Sequence, residues 1–194
     1  MATKKIYIIH GWDGYPEEGC FPWLKKELER RGYDVFIPLM PEPEKPKIST
    51  WVAYLSQIIK KPDINTYLLG HSIGAQAILR YLESLDRDVK INGAVFIAGW
   101  VHLTELALET TEDIKIAKPW LKTPLNWDKI RSHTNNFIAI FSDNDKLVPL
   151  SDSNIFKDKL GAKIIIEHNK GHFSDSDNIK KLSSALKSIL EIAK

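Results

Sequence analysis

The sequence has one cysteine, Cys20, in 194 residues, so no disulfide can form within the chain. A small secreted fold held together by disulfides is therefore excluded, and the length suits one domain spanning residues 1–194 around a hydrophobic core. The first apolar run, Ile6–Ile9, is too short for a signal-peptide core, and no run reaches the roughly 18 apolar residues of a membrane span. We therefore expect a cytoplasmic protein that does not bind membranes.

Neither sign of charge is in large excess. Lys and Arg number 27 and Asp and Glu number 25, which gives a formal net charge of +2. The basic residues are interleaved with acidic ones, whereas a nucleic-acid-binding protein usually presents a basic stripe or patch. The basic run Lys25–Arg31 also contains glutamates and is interpreted as the solvent-facing side of a helix. We expect no nucleic-acid partner.

Motifs for metal and nucleotide binding are also missing from the sequence. It has no H-E-x-x-H pattern and no cluster of Cys and His at the spacing of a metal site. It has no G-x-G-x-x-G after the first apolar run and no phosphate-binding loop of the Walker type. We expect neither a metal ion nor a cofactor.

What the sequence does contain is an alternation of short apolar runs, rich in β-branched residues, with amphipathic segments. The apolar runs predict six strands, Lys5–His10, Asp34–Leu39, Asn65–Leu69, Ile91–Ala98, Asn136–Phe141 and Lys163–Glu167. The other segments predict helices over Phe21–Arg31, from Ser49 or Thr50 to Lys60, and over Ile73–Leu85, Ser153–Leu160 and Asn178–Ala193. This order favours a three-layer α/β sandwich, with a mainly parallel sheet and helices on both faces. Ligands of such folds bind at the carboxyl ends of the strands, so the functional residues should directly follow strands.

The segment Gly70–Gly74 has the pattern G-x-S-x-G between the third predicted strand and the third predicted helix. In that setting the pattern is typical of a nucleophile elbow, a strained turn that presents a serine hydroxyl at the edge of the sheet. Ser72 is the candidate nucleophile, and the Ile73 amide at the helix N-terminus is a candidate donor to an oxyanion. The pattern alone is weak evidence, because five residues with three fixed positions recur by chance.

An acid and a histidine follow the next strands in the order that this type of site requires. A serine hydroxyl needs an adjacent base, and the chain order in such folds is serine, acid, histidine. His172 follows the sixth predicted strand, and both Asp143 and Asp145 follow the fifth. We favour Asp145 because its D-x-x-V-P spacing resembles the acid loop of many α/β hydrolases. Asp143 lies nearer the strand end and stays open as the alternative.

The loop after the first strand, His10–Gly14, is predicted to complete the site. In this type of fold that loop donates a second amide to the oxyanion, and Trp12 is the candidate donor. The side chain of Trp12 is a candidate wall of the substrate pocket, with core packing as the alternative. His71, Trp100 and Trp120 are further pocket candidates.

At these positions the sequence resembles the small α/β hydrolases typified by bacterial YdeN and human retinoblastoma-binding protein nine, and it is closer to YdeN. The resemblance covers nearly the whole chain and includes His10-Gly11, Phe21–Leu24, Met40–Pro46, Trp51, Gly70–Gly74, Ile78–Arg80, Trp127–Ile130, the acid loop and Gly171–Phe173. It implies Ser72, Asp145 and His172 as a catalytic triad. It also implies a compact hydrolase with a minimal cap, in which residues 99–132 form either a short lid-like excursion or a peripheral packing element.

The resemblance implies a serine hydrolase that cleaves carboxylic esters through an acyl-enzyme intermediate. Amides and small peptides are further candidate substrates, so the expected partner is a small-molecule ester or amide. Two alternatives remain open at this point, namely a protein-interaction module that retains the triad and an acyltransferase with little hydrolytic activity. The expected oligomeric state is a monomer or a weak homodimer.

Overall fold

The computed structural model describes residues 3–193. Its strands are β1 (Lys5–Ile9), β2 (Asp34–Phe36), β3 (Thr66–His71), β4 (Gly93–Ile97), β5 (Phe137–Ser142) and β6 (Lys163–Glu167). Its α-helices are α1 (Phe21–Glu29), α2 (Ile48–Ile58), α3 (Ile73–Ser84), α4 (Thr111–Lys122), α5 (Trp127–Arg131), α6 (Asp152–Leu160) and α7 (Ser183–Ile192), and a single 3-10 turn spans Glu105–Ala107.

The strands form one sheet in the order β2-β1-β3-β4-β5-β6, and every pairing between neighbours is parallel. The predicted parallel α/β sheet is therefore confirmed. After β1 the chain adds β2 on one side and then returns to add β3 on the other side. This reversal opens a crevice beyond the carboxyl ends of β1 and β3, which is where ligands of parallel sheets bind.

Hydrophobic side chains on the two faces of the sheet form two separate clusters, because successive residues of a strand point to opposite faces. In β3, Leu68 belongs to the cluster that contains α2, α3 and α6. Its neighbours Tyr67 and Leu69 belong to the cluster that contains α1 and α7. The sheet is thus covered on both faces, as the apolar runs in its strands predict.

Two helix starts differ from the prediction. The backbone of Lys47 is extended and precedes the first turn of α2, so neither Ser49 nor Thr50 caps this helix. The last helix begins at Ser183 and not at Asn178, whose φ of 57° is left-handed and incompatible with a right-handed helix. The other predicted elements are present with small shifts at their ends.

Residues 99–132 leave the sheet after β4 and contain the 3-10 turn, α4 and α5. A capping box between Thr110 and Asp113 starts α4, satisfying amides that have no acceptor within the helix. Arg80 of α3 donates from Nη2 to the carbonyl oxygens of Trp120, at 2.9 Å, and Thr123, at 2.8 Å. These bonds attach the C-terminal end of α4 to the core. In the described range, no helix is both long and apolar enough to cross a membrane.

Candidate active site

Ser72 lies in a sharp turn between β3 and α3, with φ of 53° and ψ of −121°. This conformation is rare for a residue other than glycine, and it is a form of strain that folds retain at functional sites. A β-carbon at Gly70 would lie 2.6 Å from the Ala75 nitrogen, and one at Gly74 would lie 2.4 Å from the Ile9 oxygen. Only glycine fits at both positions, which explains the spacing of the G-x-S-x-G pattern.

His172 and Asp145 are brought together from the loops after β6 and β5. The distance from His172 Nδ1 to Asp145 Oδ2 is 2.8 Å, and the Asp145 side chain is only 3% exposed. The other carboxylate oxygen, Oδ1, accepts the amides of Leu147 at 2.8 Å and Val148 at 3.0 Å. The turn after Asp145 therefore fixes its carboxylate and aims Oδ2 at the imidazole.

Asp143 has other partners. Its Oδ2 is 2.5 Å from Nδ1 of His168, and its Oδ1 accepts the Asn169 amide at 2.9 Å. The amide bond from Asn169 first, and then His168, lower the pKa of Asp143 below its usual value. Of the two aspartates that the sequence leaves open, the structure brings Asp145 to His172 and places Asp143 in a separate, more exposed pair.

The loops that carry Asp145 and His172 are also tied to each other by side chains. Asn144 Oδ1 accepts the Gly171 amide and the Ser142 hydroxyl, each at 2.8 Å. The Ser142 hydroxyl oxygen in turn accepts the Lys170 amide at 3.0 Å. Sequence reasoning missed Ser142 and Asn144, although their position at and just beyond the end of a buried strand was a usable signal.

Ser72 and His172 face a common cavity of about 380 Å³ at the carboxyl edge of the sheet. Its lining consists of Gly11, Trp12, Asp13, Glu18, His71, Ser72, Ile73, Trp100, Leu103, Leu106, Ala107, Glu109, Asp113, Leu147, His172, Ser174 and Ser176. Three of the four pocket candidates, Trp12, His71 and Trp100, are in this set. Residues 103–113 supply one wall, so the excursion after β4 borders the cavity.

Trp120, the fourth pocket candidate, lies outside the cavity, and its prediction as a pocket residue is corrected. Its side chain is buried at 1% exposure and packs edge-to-face on Trp51, with ring centroids 6.1 Å apart. Its indole nitrogen donates to the Pro46 carbonyl at 3.0 Å. The residue joins α4 to α2 in the core, where its one polar group is satisfied.

The backbone amides of Trp12 and Ile73 are the predicted oxyanion donors, and both residues line the cavity together with Ser72. Ile73 is the first residue of α3, so its amide has no acceptor within the helix. Within residues 3–193, neither amide takes part in a backbone hydrogen bond. The loop around Trp12 is held by the segment Met40–Pro46, because the Trp12 indole donates to the Glu44 carbonyl and the Asp13 amide donates to the Pro43 carbonyl.

Neither His10 nor Cys20 has the surroundings of a catalytic residue. His10 has Nδ1 2.8 Å from the Gly11 carbonyl, and its Nε2 accepts the Met40 amide at 2.9 Å. The second bond requires an unprotonated Nε2, so Nδ1 is the donor of the first and the ring is neutral. Cys20 is buried, and this burial raises the pKa of its thiol to about 12, which leaves it unsuited as a nucleophile.

Several acidic residues of the cavity were missed by sequence reasoning. Asp13, Glu18, Glu109 and Asp113 all line it, and they lie in loops or at a helix start where no periodic pattern marks them. Burial, and then the charge of Asp175, raise the pKa of the Glu18 carboxyl above its usual value. The described lining contains no Lys or Arg, so its ionisable side chains other than histidine are acidic.

Comparisons with known sequences and with solved structures point to the same protein family. YdeN of Bacillus subtilis (strain 168) is 29% identical over 180 residues, which cover 93% of this chain and 91% of YdeN. The serine hydrolase RBBP9 of Rattus norvegicus is 25% identical over 192 residues, covering 97% of each chain. The crystal structure of the ydeN gene product superposes with a TM-score of 0.89 at 28% identity and covers 98% of both chains. The sequence model of the serine hydrolase family matches residues 6–189, so the chain belongs to that family and the resemblance noted in its sequence is confirmed.

Proposed function

We propose that this protein hydrolyses carboxylic esters, with Ser72 as the nucleophile, His172 as the general base and Asp145 as the acid that orients it. The observation that supports this most strongly is the 2.8 Å bond between His172 and Asp145 beside a cavity that also contains Ser72. The Trp12 and Ile73 amides are the proposed oxyanion donors.

In the first half of the reaction, Ser72 Oγ attacks the carbonyl carbon while His172 Nε2 accepts its proton. The carbonyl electron pair moves to oxygen, where the two amides stabilise the negative charge. Collapse of this intermediate breaks the bond to the leaving oxygen, and His172 returns the proton to it, releasing an alcohol. Water, deprotonated by His172, then attacks the acyl carbon, the bond to Ser72 Oγ breaks, and His172 returns the proton to Oγ as the carboxylic acid is released. An amide or a small peptide would follow the same path with an amine as the leaving group.

The apolar part of the cavity suits a small to medium hydrophobic acyl group. Trp100, Leu103 and Leu106 lie on the side formed by the chain after β4, and Leu147 comes from the turn that holds Asp145. Burying an acyl chain against these side chains contributes roughly 0.8 kcal/mol per methylene. A graded series of acyl lengths should therefore show rising kcat/KM until the cavity is filled.

Labelling with a fluorophosphonate probe tests the proposed nucleophile. We expect covalent attachment to Ser72 in the folded protein, located by mass spectrometry of the digested adduct, because such probes react with activated serines. The Ser72→Ala variant should not be labelled, and His172→Ala should be labelled far more slowly. A folded protein that takes no label, or equal labelling of Ser72→Ala, would overturn the proposal.

The charge of the cavity predicts a preference among esters of matched size. We expect kcat/KM for monoethyl succinate, which is anionic, to be at least about 10-fold below that for neutral ethyl butyrate. One like charge at 4 Å costs between about 1 kcal/mol in water and about 4 kcal/mol near a protein surface. The 4-aminobutyrate ester, which is cationic, should not show this loss. Adding salt should narrow the gap because it screens exposed charges.

Two single substitutions separate a cavity effect from a general surface effect. Glu109→Gln removes one carboxylate from the cavity lining and should reduce the difference in kcat/KM between anionic and neutral esters. Glu112→Gln removes an exposed carboxylate of α4 that is outside the lining, and it should leave the gap unchanged. Equal rates for the two esters, or equal effects of the two variants, would contradict the prediction.

A further inference from the structure

His172 lies in a turn, where neither a helix nor a strand fixes its backbone. The neighbouring residues Gly171 and Phe173 both have left-handed φ values, 54° and 61°. Both polar backbone atoms of His172 are instead bound by side chains. Its N–H donates to Asp177 Oδ2 at 2.9 Å, and its carbonyl oxygen is 2.7 Å from His71 Nε2.

The bond between His71 and the carbonyl of His172 has a defined direction. A carbonyl oxygen can only accept, so Nε2 of His71 is protonated and donates. Burial, and then the nearby His172, lower the pKa of His71 to about 3, so its ring is neutral at ordinary pH. A neutral ring carries one proton, which leaves His71 as a fixed donor and not as a second base.

His71 is also the residue directly before Ser72, at the end of β3. A single hydrogen bond therefore connects the turn that presents the nucleophile with the backbone of the base. We propose that His71 is a positioning residue that sets the separation between Ser72 and His172. This inference rests on the proposed function, because it concerns the geometry of that same nucleophile and base.

Asp177 provides the second constraint on the same backbone. Its Oδ2 also accepts the Ser174 amide at 3.0 Å and the Ser174 hydroxyl at 2.7 Å, so it fixes the turn on both sides of His172. The carboxylate lies against the α-carbon of Gly171, where a β-carbon would meet Asp177 Oδ1 at 1.9 Å. With its N–H and carbonyl both bound, the peptide planes around His172 have little freedom to rotate.

The proposal is tested with two substitutions of His71. His71→Phe keeps an aromatic ring but removes the donor, and we expect kcat to fall about 10- to 100-fold with KM within about a factor of two. A displacement of about 1 Å at a reacting group can cost about 10²-fold. His71→Gln retains an N–H donor at a similar distance from the backbone and should recover most of the lost kcat. Steady-state kinetics with one neutral ester measure both parameters.

Introducing His71→Phe into the His172→Ala variant shows whether the fall in kcat depends on His172. In His172→Ala there is no base to position, so adding His71→Phe should leave the residual turnover unchanged. Residues that act as a unit show such non-additivity. If the two losses multiply instead, or if kcat of His71→Phe equals that of the wild type, the positioning role is wrong.

His133 provides a matched structural control. It is fully buried and its Nδ1 is 2.8 Å from the Val89 carbonyl, so it makes the same kind of bond outside the cavity lining. His133→Phe should change stability but not kcat, and an equal fall in kcat would overturn the proposal.

If His71→Phe does not fold, Asp177→Ala and Asp177→Asn replace it. Asn retains an acceptor oxygen for the His172 amide, so only Ala should lower kcat, and equal rates for the pair would overturn the positioning of this backbone.

The proposed function and the positioning role of His71 can fail separately. If Ser72→Ala retains full ester hydrolysis, the proposed function is wrong whatever the His71 variants do. If Ser72→Ala is inactive and His71→Phe turns over at the wild-type rate, only the positioning role is wrong.

Discussion

Replacing Asp145 with asparagine is expected to lower kcat by about 10⁴-fold while leaving the fold intact. The magnitude is that of the corresponding change in the serine proteases. Asp145 Oδ1 accepts two amides, from Leu147 and Val148, and Oδ2 faces His172. In asparagine the carbonyl oxygen would keep the two amides, so the NH₂ group would face Nδ1 of His172. That nitrogen would then have to accept, and the proton would move to Nε2, where it blocks proton transfer from Ser72.

The matched control for this prediction is Asp143→Asn. Asp143 bonds to His168 and Asn169 and is not in contact with His172, so its replacement should change kcat by no more than a few-fold. Steady-state kinetics on both variants, with circular dichroism to verify folding, make the comparison. A loss of several orders of magnitude in Asp143→Asn alone would mean that the acid has been assigned to the wrong residue.

The juxtaposition of Ser72, Asp145 and His172 was predictable because each of them follows a strand of a parallel sheet. The carboxyl ends of parallel strands lie along one edge, so residues far apart in the sequence meet there. The choice between Asp143 and Asp145 was not predictable from strand order, since both follow β5. It depends on the turn over Leu147 and Val148, which directs one carboxylate towards the imidazole.

The walls of the cavity were less predictable than the residues at the strand ends. Trp100 and Trp120 are both aromatic residues of the same irregular segment, and composition alone cannot separate them. Trp100 follows β4 closely and reaches the cavity, whereas Trp120 lies on α4 and packs against α2. Glu18 and Glu109 line the cavity from segments without periodicity, so their positions depend on tertiary contacts that no local pattern encodes.

The largest effect on stability is expected from Gly74→Ala. A β-carbon at this position would lie 2.4 Å from the Ile9 oxygen and 2.6 Å from the His10 oxygen. Both contacts are backbone atoms at or just after the end of strand β1, so neither can rotate away as a side chain would. Overpacking of this kind costs up to about 3 kcal/mol, which corresponds to a fall in Tm of roughly 10 °C for a chain of this size.

The comparison that isolates this clash is Gly161→Ala. Gly161 has a left-handed φ of 67°, and a β-carbon there would meet no atom within 4 Å. Alanine at that position should therefore cost only the roughly 1–2 kcal/mol of the left-handed backbone. Gly74 is helical and its backbone has no such strain. The stability lost in Gly74→Ala would therefore come from the close approach of α3 to β1 alone. Urea unfolding measures the free energy of unfolding of both variants. A decrease in Gly74→Ala no larger than that in Gly161→Ala would contradict the prediction. Because β1 leads directly to Trp12, a shift at this contact would also move the Trp12 amide relative to Ile73, and kcat should fall with stability.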